Sequence, residues 1–438
     1  MLITPITHPL SATVRVPGSK SLTNRALLIA SLANGTTRLT NALFSDDSRY
    51  FAKGLQTLGF DVQLDEVNHE MVITGLGGKI PAQKAELFIG NAGTAARFLS
   101  AFLTLGHGEY ILDGDARMRE RPVGDLISAL RPLGAKLGPA HTDDWSLITD
   151  YSRLCPPVKI IASGLPGGKT QIAGNISSQF LSALLMVAPY AKSPIEIEVT
   201  AELNSKPYVD MTIAIMKDFG VKVERDEYQS FRIPTTNYVI PKRSGADQLP
   251  TLNPSARFAS GRRLQSPIST YPIESDASAA SYFFAAPAIC GGTVRVENIS
   301  RNSKQGDIAF LDVLQQMGCE VMEGENFIEV SWFRSGDPNQ TYPVRRGSPD
   351  PRPLQGIDVD MRDIPDTAQT LAVVAPFASS PTRIRGIASA RVKETDRVHA
   401  TCTELARLGV RVEEHEDGMT IYPVGKMRPA VIQTYDDH

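Results

Sequence analysis

Five short polar turns, each leading toward an apolar stretch, carry the residues best suited to chemistry. PGSKSLTNR supplies Lys20, Ser21 and Arg25, GNAGTAAR supplies Asn91, Gly93, Thr94 and Arg97, and GNISSQF supplies Ser177, Ser178 and Gln179. DIPDTAQT places Asp363 and Asp366 around a turn, and RVKETDR packs Arg391, Lys393, Glu394, Asp396 and Arg397 into seven residues. The start of a helix offers free N–H groups and the positive end of the dipole, so it favours anions. A cation there is locally unfavourable, so Lys20 and Arg25 predict a compensating negative group. One such turn alone is ordinarily structural, and one charge run is ordinarily a solvated helix face. Their recurrence at equivalent places shifts the reading toward a site for anions.

Other motifs fail on spacing. PGSKS lacks the upstream Gly of a phosphate-binding P-loop, and Ser19 separates Gly18 from Lys20. GLGGKIP at Gly75–Pro81 is not GxGxxG. Cys155, Cys290, Cys319 and Cys402 form no CxxC pair, and the seven histidines show no ligand spacing, so neither a zinc site nor a redox dithiol is expected. The net charge of -3 argues against a general nucleic-acid binder. No apolar run reaches the roughly 18 residues of a membrane helix, and no signal pattern opens the chain. The default expectation is a cytoplasmic protein without a membrane partner.

The turns sit within a repeat. LGFDV, LGAKL, FGVKV, MGCEV and LGVRV recur along the chain, each after an amphipathic stretch, with Gly at a helix C′ position and a strand following. Each unit is predicted as strand, apolar buried helix, strand, one-faced surface helix, strand. Five units are complete. A sixth opens at Ala430 with AVIQTYDDH, read as a strand and a polar turn, so a missing unit is expected. Two irregular insertions interrupt the pattern, Pro241–Thr270, with five basic residues against one acidic, and Phe333–Gly356. The fold class is α/β, with residues 19–240 and residues 1–18 plus 271–438 as two globes joined through a 241–270 linker.

In order along the chain, PGSKSLTNRALLIASLA, GNAGTAAR, RMRERPVGDL, GNISSQFLSALLM, SKPYVDMT, DASAASYF, RNSKQGD, IPDTAQT and RVKETDR resemble the signatures of the 5-enolpyruvylshikimate-3-phosphate synthases. The resemblance implies an inside-out α/β barrel, an upper and a lower globe with helix starts converging on a cleft. It implies transfer of the enolpyruvyl group of phosphoenolpyruvate to the 5-hydroxyl of shikimate 3-phosphate, by addition and elimination, in a monomer without metal or cofactor. Carried over by position, Lys20, Asn91, Gly93, Arg121, Gln179 and Arg397 match the phosphoenolpyruvate site. Lys20, Ser21, Arg25, Ser177, Ser178, Gln179, Ser205, Asp366, Ser389 and Lys393 match the shikimate 3-phosphate site. Lys20, Asp366 and Glu394 match the catalytic residues, Asp366 for the proton of the attacking hydroxyl and Glu394 for the proton at the methylene carbon.

Three departures stand out. Ser389 replaces the usual Asn, Phe98 replaces the usual Pro, and the family continues past TYDDH with an Arg and a Lys for phosphoenolpyruvate. The rival readings are a fragment that binds shikimate 3-phosphate without turnover and the related UDP-N-acetylglucosamine enolpyruvyl transferases. The latter carry Lys-Asn in place of Lys20-Ser21 and usually a Cys in the loop where DGDARMRERP has none.

Overall fold

A computed structural model describes residues 6, 8–142, 144–145, 148, 150–175, 177–241, 268–333 and 353–437. Most of both expected insertions, 242–267 and 334–352, lies outside the described residues.

In chain order the first elements are β1 (Leu10–Arg15), α1 (Lys20–Leu32), β2 (Asn34–Thr40), α2 (Asp46–Thr57), β3 (Val62–Asp65) and β4 (Glu70–Leu76). Next come β5 (Lys84–Phe88), α3 (Gly93–Leu103), β6 (His107–Asp113), α4 (Gly124–Leu130), β7 (Lys136–Pro139) and β8 (Val158–Ser163). The third set is β9 (Gly168–Ile172), α5 (Ser178–Val187), β10 (Ile195–Val199), α6 (Lys206–Asp218), β11 (Glu224–Asp226) and β12 (Ser230–Ile233). The fourth is β13 (Ile268–Pro272), α7 (Ala277–Cys290), β14 (Gly292–Glu297), α8 (Phe310–Met317), β15 (Glu320–Glu323) and β16 (Phe327–Trp332). The fifth is β17 (Asp358–Asp360), α9 (Ala368–Val374), β18 (Thr382–Arg385), α10 (Arg397–Arg407), β19 (Val412–His415) and β20 (Gly418–Ile421).

The repeat is therefore real, with one strand more than the spacing predicted. The sheets have four strands each, and in the second, third and fifth units the leading strand pairs parallel to the strand after the buried helix. That strand pairs antiparallel to a hairpin following the surface helix, as in β6–β8–β7. The repeat glycines Gly59, Gly134, Gly220, Gly318 and Gly409 all take left-handed φ, from 82° to 108°, where a Cβ is strained. They end the surface helices, so the chain turns back into the hairpin.

The first and fourth units exchange their leading strands. β1 runs into α1 but pairs with β14, whereas β13 runs into α7 but pairs with β2. The two crossings pass one another at an antiparallel bridge between Gly18 and Ser275. A Cβ on Gly18 would lie 1.7 Å from the Asn41 carbonyl oxygen, so only Gly passes there. The upper sheet consequently runs on through Pro272, and Tyr271 and Ile273 pack in the upper core. The boundary expected at 271 falls inside β13, because β2 needs a parallel partner on its open edge.

Two hydrophobic cores result. The upper runs from Leu22 to Ile273, with α3 packed against α1 and α5. The lower runs from Val16 to Ile421, with α7 against α9. Residues 422–437 form neither helix nor strand. The strand expected from Ala430 is not made, and the stretch pairs with none of the described strands. No helix among the described residues is long and apolar enough to cross a membrane.

Candidate active site

The buried helices begin at the junction between the globes. None of α1, α3, α5, α7 and α9 carries an acidic side chain in its first turn, whereas the surface helices α2, α4 and α8 do. The starts of α1, α3 and α5 thus keep their positive character, whereas Asp276 caps α7 and Asp366 stands in the turn before α9. Ser19 caps α1, accepting from the Leu22 N–H at 3.4 Å, and Ser177 caps α5, accepting from the Gln179 N–H at 3.3 Å.

The cavity between the globes is lined by six cations, Lys20, Arg25, Arg97, Arg121, Lys393 and Arg397, against two carboxylates, Asp366 and Glu394. Ser21, Ser177, Ser178, Gln179, Ser205 and Ser389 add polar groups to its wall. Four positive charges in excess gather here in a chain whose net charge is -3.

From the upper globe, Arg25 is almost wholly buried. Its Nε donates to Thr212 Oγ1 at 2.7 Å and its Nη1 to the Ser21 carbonyl at 3.0 Å. Burial brings its guanidinium down to about 10. Arg97 donates to the carbonyls of Gly93 and Pro122, both at 3.0 Å, and stacks over Phe180. Burial, then the neighbouring charge of Arg121, brings Arg97 down to about 9. The Nε groups of Arg97 and Arg121 are buried without a hydrogen-bond partner. Two like charges are thus held close in low dielectric, an arrangement that favours an incoming anion.

From the lower globe, Asp366 Oδ1 accepts from Lys393 Nζ at 3.2 Å and Arg397 Nη1 at 3.1 Å. Burial acts to raise this carboxyl, but Lys393 and Arg397 overcome it and hold Asp366 well below the usual carboxylate range. Glu394 is clamped between the globes. Its Oε1 accepts from Arg121 Nη2 at 3.1 Å and its Oε2 from Arg397 Nη2 at 3.0 Å. Burial again acts upward and the two arginines win, so Glu394 is also depressed. Arg397 further holds Asp437, at 2.8 Å on each oxygen.

Further bonds close the globes on each other. Arg117 donates to the carbonyls of Glu394 at 2.9 Å and Lys393 at 3.1 Å. The Ser205 N–H donates to the Arg362 carbonyl at 3.0 Å, and the Lys20 N–H to Asp276 Oδ2 at 3.0 Å. Ser205 holds a left-handed φ of 57° to do so.

A sequence model of EPSP synthase (3-phosphoshikimate 1-carboxyvinyltransferase) matches residues 5–243 and 258–438. The chain belongs to the EPSP synthase family. Its relatives include the 3-phosphoshikimate 1-carboxyvinyltransferase of Trichormus variabilis, 45% identical over 99% of this chain and 88% of the relative. That of Sulfurovum sp. is 45% identical over 97% of this chain and 87% of the relative. In three dimensions the chain resembles EPSP synthase from Acinetobacter baumannii with a TM-score of 0.68 and 23% identity, over 97% of this chain and 84% of that one. The α/β two-globe architecture is thus the fold shared with EPSP synthases of known structure.

Of the residues expected from the resemblance to this family, all but Asn91 and Gly93 line the cavity. Those two stand behind Arg121. Asn91 accepts from Arg121 Nη1 through its carbonyl at 2.7 Å and its Oδ1 at 3.0 Å. A Cβ on Gly93 would meet Arg121 Nη2 at 2.3 Å. Asp363 accepts from the Lys206 N–H at 3.2 Å, and Arg391 pairs with Asp396 and Glu414, so neither joins the wall.

Sequence reasoning missed Tyr208 in the wall and Asp307 behind it. Tyr208 follows Ser205 by three residues at the start of α6, a helical spacing that points to one face. Asp307 sits in RNSKQGD, where nothing in the neighbouring residue types sets it apart from a solvated turn aspartate.

Proposed function

We propose that this cleft transfers the enolpyruvyl group of phosphoenolpyruvate to the 5-hydroxyl of shikimate 3-phosphate and releases phosphate. The observation that carries the reading is the convergence of six cations on two carboxylates in the cavity between the globes. Both substrates are polyanions, and guanidinium forks suit carboxylate and phosphate.

Asp366 is ionised and takes the proton of the attacking hydroxyl. That hydroxyl oxygen bonds to the central carbon of phosphoenolpyruvate while its methylene carbon gains a proton, giving a tetrahedral adduct. The adduct loses a proton from the new methyl group and expels phosphate, restoring the double bond. Glu394 serves the methylene carbon, with Lys20 beside it. In the arrangement above Glu394 is a salt-bridged anion. A phosphoenolpyruvate that drew Arg121 and Arg397 to itself would remove the charges that depress Glu394, letting it take up the proton it must give. Binding would thereby arm the acid. The fixed cations then stabilise the charge that moves.

The test is phosphate release with both substrates in the presence of a chelator. Release that required a divalent ion, or occurred only with UDP-N-acetylglucosamine as acceptor, would refute the reading.

A further inference from the structure

Tyr208 stands in a buried contact that the transfer chemistry above leaves unused. Its helix α6 belongs to the upper globe, yet its hydroxyl meets two lower-globe carboxylates. It lies 2.8 Å from Asp366 Oδ2, and 2.9 and 3.1 Å from Asp307 Oδ2 and Oδ1. Asp307, in the 3-10 turn Gly306–Ala309, is 3% exposed and also accepts from Ser278 Oγ.

A phenol has one proton to donate. If both carboxylates were ionised, one would face the phenol oxygen with no donor between them, a buried and unpaired charge. Asp366 has two cations on its other oxygen, Lys393 and Arg397, with Lys20 near. Among the described residues no Lys or Arg pairs with Asp307. The groups that face it are Tyr208 on α6, Asp366 in its turn, and Ser278 and Asp276 at the start of α7.

We propose that Asp307 is a positioning residue that keeps its own proton and donates it to the Tyr208 oxygen, so that the Tyr208 hydroxyl donates to Asp366 Oδ2 and aims that carboxylate into the cleft. Burial, then the charge of Asp366, pushes Asp307 up to about 7, in line with this chain of donors. Burial and the two carboxylates push Tyr208 well above its ordinary value, so the phenol keeps its proton as well. Because Tyr208 comes from one globe and both acids from the other, the chain forms only where the globes meet. The proposal rests on the reading of Asp366 as the acceptor of the hydroxyl proton.

The test uses the full chain, both substrates and phosphate release across about pH 5 to 9. Wild-type kcat should fall on the alkaline side as Asp307 loses its proton. Asp307→Asn offers an N–H donor of the same shape, so it should keep kcat to within about threefold and lose that alkaline limb. Asp307→Ala and Tyr208→Phe should each lower kcat by about tenfold or more, the effect of losing a hydrogen bond to a charged group. A wild-type minus Asp307→Asn infrared difference spectrum at neutral pH, without substrates, should show a protonated carboxyl band. That band reads the Asp307 proton whatever Asp366 does. If Asp366→Asn kept its rate while the band persisted, the acceptor role would fall and the protonation of Asp307 would stand. An Asn variant as impaired as the Ala variant with its alkaline limb intact, a Tyr208→Phe enzyme of normal kcat, or no carboxyl band would each overturn the proposal.

Discussion

Glu394 has an arginine from each globe on its two oxygens, and Asp366 has two cations on one oxygen and a phenol on the other. Both carboxylates are therefore ionised and placed, as proton handling between fixed cations requires. Asp366→Ala and Glu394→Gln should each lower turnover by roughly 10²–10⁴-fold. Calorimetric titration should find shikimate 3-phosphate binding retained in both, since the cations and serines of the wall remain. A Glu394→Gln enzyme of near-normal rate would reduce Glu394 to a structural clamp. The same carboxylates set an acid limit on stability. Their folded values lie well below the unfolded ones, near pH 4, so the stabilisation is present above that pH and is lost progressively as pH falls from there toward the folded values. Melting temperature should drop on acidification from about pH 5 to 3, and Glu394→Gln should make the drop shallower.

At the scale of elements, the site depends on close approaches that only small residues permit. Gly93 opens α3 beneath Arg121, and an added Cβ would sit 2.3 Å from Nη2 and 2.8 Å from Cζ. Gly93→Ala should leave the fold intact, because its backbone is helical, and push the Arg121 fork out of place. We expect the KM for phosphoenolpyruvate to rise about tenfold or more, the loss of one charge-assisted contact, with the KM for shikimate 3-phosphate little changed. Equal rises in both constants would place the damage in the helix instead. Arg117 belongs to the turn after β6 and holds the carbonyls of Lys393 and Glu394 in the other globe without lining the cavity. Arg117→Ala should weaken both substrates by about tenfold and leave the fold intact, as steady-state kinetics and a melting curve would register. Unchanged kinetics would mean that the segment is held by Glu394 alone.

Across the whole molecule, the exchange of β1 and β13 ties two separate cores together. Each globe borrows the edge strand that leads into the other. Neither core can lose its sheet without freeing a strand of its partner, and the junction adds the salt bridges around Glu394. Calorimetry should therefore show one unfolding transition for the pair of globes, with a calorimetric enthalpy close to the van't Hoff value. Two resolved transitions would show that the exchanged strands do not couple the cores.

The repeat was legible because its signals are local. A Gly that must take positive φ after a helix, and a helix apolar all round, declare themselves in a short window. Gly59 through Gly409 and the buried α1, α3 and α5 followed, whereas α7 and α9 leave Tyr282, Phe283 and Val373 exposed. The anion turns were legible for the same reason, since hydroxyls, cations and helix starts lie within a few residues of one another. The exchange of β1 and β13 was not, because strand pairing is chosen by an edge more than two hundred residues away along the chain, and both candidate strands are equally strand-like. Nor was the state of the acids. Nothing in RVKETDR says that Glu394 will lie between Arg121 and Arg397, and nothing in KQGDI says that Asp307 will be buried behind a tyrosine from the other globe. Protonation depends on burial and on charges a few ångströms distant. Those distances exist only once two globes have closed on each other.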